Sequence, residues 1–185
     1  MREVKKSLRK ELISRRRNME ISEKQAADRA IFELVKPLID KADSVLTYIS
    51  TEIEVDTHLL MQYCFDNGIR VAAPVSGDSE LTFYEVKSFD DVSEGRFGIS
   101  EPTDRSREFS PTAGTLCIVP ALCADEKGLR LGYGRGYYDR FLSSFEGTSA
   151  ILCYSGFRME VPSEPHDKRA DITVFDDKII YKQNR

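Results

Sequence analysis

The 185-residue chain has few of the residues that build metal centres or disulfide scaffolds: four cysteines, two histidines and no Cys-x-x-Cys pair. Cys64, Cys117, Cys123 and Cys153 are scattered through apolar runs with only His58 and His166 to assist them, which argues against a zinc site or a disulfide framework. Long apolar runs are missing as well. No uncharged stretch approaches the ~18 residues of a membrane helix, and the start, MREVKKSLRKELISRRR, lacks the apolar core of a signal peptide. There is no excess of positive charge: the net charge of −4 argues against a nucleic-acid binder. Internal repeats and low-complexity tracts are absent too. The expectation is a soluble, cytoplasmic protein, monomeric, with neither membrane nor nucleic acid as a partner.

What is present suits one globular domain spanning residues 1–185, long enough to bury well over half of its unfolded surface. Val4, Leu8 and Leu12 recur every fourth residue, predicting a helix over residues 3–17 that leaves Lys5, Arg9 and Arg16 on an adjoining face. Ser22-Glu23-Lys24-Gln25 has the form of a capping box, opening a second helix whose stripe is Ala27, Ala30, Ile31, Leu34 and Leu38 and which Pro37 should kink or end. Ser44–Ser50 reads as a strand, followed by an acidic loop to Asp56, a helix ending near Gly68 and a second strand over Ile69–Pro74. Strand, helix, strand is the order of a parallel sheet with covering helices. Further strands are expected at Leu81–Val86, Leu116–Val119, Ser149–Tyr154 and Asp171–Phe175, with Ser88–Gly114 as a long surface loop of little regular structure.

In open α/β sheets ligands collect beyond the carboxyl ends of the strands. After the strand ending at Val119 comes GLRLGYGRGYYD, residues 128–139, leading into a helix with the stripe Tyr138, Phe141, Leu142 and Phe145. Glycines allow positive φ and let backbone N–H groups approach an anion; Arg130 and Arg135 add full charges, favouring phosphate over a merely flexible connection. The loop is not a Walker A motif, having no Gly-Lys-Ser/Thr, and Tyr137 stands where a dinucleotide fingerprint needs its third glycine. Asp139, in the first turn of the helix, either complements the helix dipole or joins a Mg²⁺ ion held by phosphates and water, with Asp167 and Asp171 as candidate second partners. Lys5 and Arg9, one turn apart, either form a solvated basic face or reach one polyphosphate together. Glu52, Glu54 and Asp56 are either solvated or placed to bind an amine or amide edge.

The segments KKSLR at 5–9, YISTEIEVDT at 48–57, VPALCADEKGLRLGYGRGYYDRFL at 119–142 and VPSEPHD at 161–167 together closely resemble the 5-formyltetrahydrofolate cyclo-ligase family, in the expected order and over nearly the whole chain. The glycine-rich segment is the specific one; the others add weight by their order. The resemblance implies a three-layer α/β/α fold of the CoA-transferase or ribose-phosphate-isomerase type, with a mostly parallel sheet. It also implies an ATP- and Mg²⁺-dependent closure of 5-formyltetrahydrofolate to 5,10-methenyltetrahydrofolate. In that reaction the formyl oxygen attacks the γ-phosphate, N10 attacks the resulting imidate phosphate, and phosphate departs.

By the same resemblance Lys5, Lys6, Ser7, Leu8 and Arg9 contact ATP, with Arg9 also near the folate. Arg130, Leu131, Gly132, Tyr133, Gly134, Arg135, Gly136, Tyr137 and Tyr138 form the ATP loop, and Tyr133 to Tyr137 also touch the substrate. Arg135 is the catalytic residue, offsetting charge on the transferred phosphoryl group. Ile49 and Glu54 match substrate-contacting positions, and Asp139 and Asp167 match the Mg²⁺ positions. Some family members carry a second basic residue where Tyr133 stands, so charge neutralisation here leans on Arg135 and Lys5. Pro165 and His166 before Asp167 leave the choice between Asp167 and Asp171 open. Other readings of the same residues are a phosphotransferase with a different acceptor, or a non-catalytic module that docks through its basic amino-terminal arm.

Overall fold

The computed structural model describes residues 1–95 and 98–182. Two helices open the chain, α1 (Arg2–Arg17) and α2 (Ile21–Ile39). Then come β1 (Ser44–Leu46), α3 (His58–Asp66), β2 (Arg70–Ser76) and β3 (Leu81–Val86). They are followed by a hairpin of β4 (Val92–Glu94) and β5 (Ser100–Pro102), the central strand β6 (Thr115–Pro120), and the short pair β7 (Cys123–Ala124) and β8 (Arg130–Leu131). Last are α4 (Tyr137–Leu142), β9 (Thr148–Leu152), β10 (Ile172–Val174) and β11 (Ile179–Tyr181).

Seven strands make the main sheet in the order β11-β10-β9-β6-β1-β2-β3. The inner pairings β10/β9, β9/β6, β6/β1 and β1/β2 are parallel, and only the edges, β3 on β2 and β11 on β10, are antiparallel. This is the α/β class with a mostly parallel sheet that the strand-helix-strand order implied. Composition follows position. Every residue of β6, TLCIVP, is buried, as a strand covered on both faces requires. Pro74 is tolerated in β2 because it pairs only with Phe83 of β3, beyond the Arg70–Ala72 stretch that pairs with β1. The buried apolar side chains form one cluster that includes Leu12, Ile31, Val35, Leu46, Met61, Ile118, Ile151 and Phe175.

Several expectations are corrected. β1 stops at Leu46; Thr47 still donates its amide to the Ala72 carbonyl at 3.0 Å, and the chain stays buried through Ile49 on its way to the loop at residues 51–57. α2 starts before Ser22, its N-cap is Glu20 with no side-chain cap bond, and the helix runs on past Pro37 to Ile39. Ser88–Gly114 carries more regular structure than its polar composition suggests: the β4/β5 hairpin, a 3-10 turn at Phe89–Asp91, and backbone bonds from Glu85 to Arg107 and from Phe109 to Phe83 along the β3 edge. Residues 96 and 97 of that segment lie outside the described residues.

On α1 the expected stripe is shifted. Val4 is 58% exposed, whereas Lys5 and Arg16 are buried beside Leu12. The basic arm is therefore packed into the molecule by two of its own cations and is not a free basic face. Among the described residues no helix is long and apolar enough to cross a membrane.

Ile118, fully buried at the centre of β6, tests the core directly. Ile118→Ala should cost about 3 kcal/mol of stability through lost burial and the cavity left behind, seen as a lower urea midpoint with an unchanged slope.

Candidate active site

The parallel strands deliver their carboxyl ends to one side, and the chain beyond β6 builds the wall there. After Pro120, residues 121–125 are buried, and the β7/β8 pair is closed by a tight turn in which the Asp125 carboxylate accepts the amides of Lys127 and Leu129 at 2.8 and 2.9 Å. Gly128 sits in that turn at φ 82°, its carbonyl accepting the Ala170 amide at 2.9 Å; a Cβ there would lie 2.6 Å from the Ala170 carbonyl oxygen. The glycine-rich loop is thus laid against the segment before β10.

The following loop, Gly132 to Gly136, is turned by Gly134 at φ 97° and Gly136 at φ 69°. The helix it enters, α4, is short, and Phe145 lies past its end, so the positive charge of this region comes from arginines more than from a helix dipole. Arg9 of α1 donates from Nε to the Gly132 carbonyl at 2.8 Å, and its guanidinium carbon would be 2.9 Å from a Cβ at Gly134. Glycine at 134 suits its positive φ, and a Cβ there would have to push aside the end of the Arg9 side chain. Arg130, nearly buried, donates to the Asp139 carboxylate at 3.1 Å and to the Lys168 carbonyl at 3.2 Å. The Arg135 side chain is exposed, and its carbonyl accepts Arg140 at 2.9 Å. Tyr137 donates its hydroxyl to the Gly77 carbonyl at 2.9 Å, tying the loop to the β2/β3 turn.

Lys5 reaches the same place from α1. Its ammonium, 7% exposed as a residue, lies 2.6 Å from Asp167 and 3.0 Å from Glu164. Burial pulls the Lys5 pKa down, but the hydrogen bonds and charges of Asp167 and Glu164 outweigh it and the net shift is upward. For Asp167 burial works upward, and the bonds from Lys5 and from the Glu164 amide at 2.7 Å prevail, leaving it below the usual carboxylate range. Asp139 and Asp167 converge on one turn: Asp139 accepts the Lys168 amide at 3.1 Å, and Lys168 directly follows Asp167. Asp171 is engaged elsewhere, accepting the Ser149 amide at 2.9 Å and hydroxyl at 2.6 Å, which staples β9 to the start of β10. Among the described residues no three His, Cys, Asp or Glu side chains are grouped to hold a metal by themselves.

The other wall is the loop after β1. Ile49 is 5% exposed and Glu54 9%. The Glu54 carboxylate accepts the Thr51 amide at 2.8 Å and hydroxyl at 2.9 Å. Across from it, Tyr133 of the glycine-rich loop has its phenol raised, first by burial of the hydroxyl and then by the charge of Glu54, to which it is also hydrogen-bonded. The hydroxyl of Tyr138 is buried with no hydrogen-bond partner. Burial, then nearby Cys117 and Glu54, push its pKa well above the ordinary value, so it remains an orphaned donor near the Glu54 side of the cleft.

Of the expected site residues, Lys5, Arg9, Glu54, Arg130, Gly132, Tyr133, Gly134, Asp139 and Asp167 are joined by these contacts. Leu8 packs on the core, and Leu131 is buried in β8. Lys6 and Ser7 point to solvent, Lys6 standing 4.0 Å from Glu3. Sequence reasoning missed Glu164, although it lies inside the VPSEPHD motif, and Arg16, which no motif marks.

A glycine-rich loop, the cations Lys5, Arg9 and Arg130 and the Asp139–Asp167 turn gather at the carboxyl edge of a parallel sheet, the edge where α/β enzymes bind their ligands. The model of the 5-formyltetrahydrofolate cyclo-ligase family matches residues 1–176. The chain is 31% identical over 126 residues to a 5-formyltetrahydrofolate cyclo-ligase of Escherichia coli, 66% of this chain and 68% of that one. It is 27% identical over 173 residues to that of Mycolicibacterium smegmatis, covering 88% and 89%. Its fold superposes on the 5,10-methenyltetrahydrofolate synthetase of Aquifex aeolicus with a TM-score of 0.86 at 26% identity, over 98% of this chain and 94% of the other. The chain belongs to the 5-formyltetrahydrofolate cyclo-ligase family. Membership makes it a cyclo-ligase and implies the use of ATP.

The loop that carries Glu54 contains a pH-sensitive tie. The Asp56 carboxylate accepts the His58 ring at 2.7 Å, the His58 amide at 2.9 Å and the Ser50 hydroxyl at 3.2 Å. The His58 ring bond, only partly opposed by burial, lowers the Asp56 pKa to about 2. A carboxyl lower in the fold than in the unfolded chain, where it is about 3.9, stabilises fully above that value and loses its contribution as pH falls through the folded one. Asp56→Asn should therefore be less stable than the parent at neutral pH, with the gap closing as pH falls toward about 2; urea midpoints measured across that range by circular dichroism check it.

Proposed function

We propose that the chain closes 5-formyltetrahydrofolate to 5,10-methenyltetrahydrofolate, with ATP converted to ADP and phosphate, as a single-domain monomer in the cytoplasm without nucleic-acid or membrane partners. The net charge of −4 supports the absence of nucleic acid. The observation that carries the reading is the meeting of α1 with the glycine-rich loop: Arg9 lies on Gly132 and Gly134, and Lys5 lies on Asp167 beside the Asp139 turn.

An amide oxygen is a poor leaving group, and phosphorylating it supplies the driving force. The formyl oxygen attacks the γ-phosphorus as ADP leaves. N10 then attacks the activated carbon and loses its proton, and phosphate departs with the oxygen. The chain's task is to align the reactants and neutralise phosphate charge. In this reading the loop amides of Gly132 to Tyr138, with Lys5 to Arg9 and Arg130, hold the triphosphate. Arg135 faces the transferred phosphoryl group, and Ile49, Glu54 and Tyr133 to Tyr137 receive the folate, with Glu54 accepting pterin N–H groups.

Asp139 and Asp167 are the residues that would hold Mg²⁺. Two carboxylates converging on one turn, with no third ligand residue grouped beside them among the described residues, suit an ion that completes its shell with phosphate oxygens and water. Mg²⁺ in that place would neutralise phosphate charge. The engagement of Asp171 with Ser149 favours Asp167 as the second carboxylate.

Incubation with 5-formyltetrahydrofolate and Mg-ATP should produce the methenyl chromophore and stoichiometric ADP; folded protein that gives neither would reject the reading. Arg135→Ala should lower kcat on the order of a hundredfold, as loss of a charge-stabilising donor does, with little change in melting temperature. Undiminished turnover would remove Arg135 from the chemistry.

A further inference from the structure

The contacts that hold the Glu54 loop come from a buried network outside the residues assigned so far. Asp28, on α2, is a carboxylate only 5% exposed. Burying a charge is costly unless it is paired and hydrogen-bonded, and three donors meet this one. Lys24 lies 2.8 Å from Oδ2, while Oδ1 accepts the Tyr154 hydroxyl at 2.7 Å and the Asp56 amide at 3.0 Å. Tyr154, just beyond the carboxyl end of β9, is itself 2% exposed, and its hydroxyl also lies 2.9 Å from the Glu54 carbonyl. A phenol has one hydrogen, so the two acceptors share it. Burial and then the bond to Asp28 raise the Tyr154 pKa far above the ordinary value, which keeps the hydroxyl a donor. From α1, Arg16 donates to the Ile53 carbonyl at 3.1 Å. The backbone at Ile53, Glu54 and Asp56 is thus held from three separate segments.

We propose that Asp28 and Tyr154 are positioning residues for folate recognition: they fix the Glu54 backbone so that its carboxylate meets the pterin already oriented. This rests on the reading of Glu54 as a folate contact. Holding α2 against β9 needs no buried charge, and an apolar pair would do so at lower cost. What the polar pair adds is directional bonds to the loop backbone, and a binding group held in place beforehand loses less freedom when the ligand arrives. Neither residue is placed to touch the nucleotide side, where Lys5, Arg9 and Arg130 lie, so the effect of removing them is specific to one substrate.

The test is steady-state kinetics with each substrate varied in turn, alongside melting curves. Tyr154→Phe deletes one hydroxyl and keeps the ring; it should raise KM for 5-formyltetrahydrofolate about fivefold, the worth of a typical hydrogen bond, while KM for ATP stays within about twofold. Asp28→Asn, which keeps an acceptor oxygen, should shift the same KM less and in the same direction. Asp176→Asn is the control. Asp176 caps the 3-10 turn at Ser155–Phe157 through the Ser155 amide and hydroxyl, next to Tyr154 but without touching the loop, and its loss should lower the melting temperature and leave both KM values alone. Glu54→Gln separates the layers of the argument. If it raises the folate KM and Tyr154→Phe does not, or if Tyr154→Phe raises both KM values equally, the positioning role is overturned and the reading of Glu54 stands. If Glu54→Gln leaves the folate KM unchanged, that reading fails and the positioning role with it. Should Tyr154→Phe not fold, Asp28→Asn decides on the same criteria.

Discussion

Two cations of the amino-terminal helix, Lys5 and Arg16, are buried, and the site takes its shape from the way their charges are satisfied. Lys5 finds carboxylates, Asp167 and Glu164, in the segment before β10. Arg16 finds carbonyls instead: Ile53 at 3.1 Å, Ala121 at 2.8 Å and Leu122 at 2.9 Å, with its guanidinium stacked over Tyr154 and Phe157 at 4.9 and 4.7 Å from the ring centres. Neither charge could enter a low-dielectric interior without such partners. The requirement to satisfy them pulls together the chain after β1, the chain after β6 and the chain after β9. Those are three adjacent strands of the sheet, and ligands of such folds bind at their carboxyl ends.

Electrostatically the cleft is divided. On one side lie Lys5, Arg9 and Arg130, with three carboxylates, Asp139, Glu164 and Asp167, pinned among them; on the other lie Glu54 and three tyrosines, 48, 133 and 154, whose phenols are held neutral by burial and by neighbouring carboxylates. A polyanion and an N–H-rich ring would sort themselves between these halves without any movement of the sheet. Tyr133 stands at the border, part of the glycine-rich loop by sequence and electrostatically coupled to Glu54.

Much of this could be read from the residues alone, and what could not has identifiable causes. Runs such as LCIV in β6 and AIL in β9 are apolar without alternation, as strands covered on both faces are. The glycines near 134 announced a turn that needs positive φ, and the turn is there. The α1 stripe misled because lysine and arginine are normally solvated, and most of the partners that permit their burial lie more than a hundred residues further on. The hairpin of β4 and β5 was missed because VSE and SEP are short and polar, held by backbone bonds that composition does not encode. Glu164 sat in plain view within a matching motif, yet its role appears only when α1 is laid against it. Asp28 and Tyr154 carry no local signal, since each is an ordinary member of a helix face or a strand end until the fold joins them.

The separation between Lys5 and Asp167, 162 positions along the chain, has a consequence for biogenesis. During translation the first helix emerges long before the segment that neutralises its ammonium exists. At ordinary elongation rates it waits roughly 10–30 seconds with its cation in water. A chain halted before residue 164 lacks both carboxylates that pair with Lys5. The contact that docks the first helix against the segment before β10 can therefore form only after nearly all of the described chain has been made.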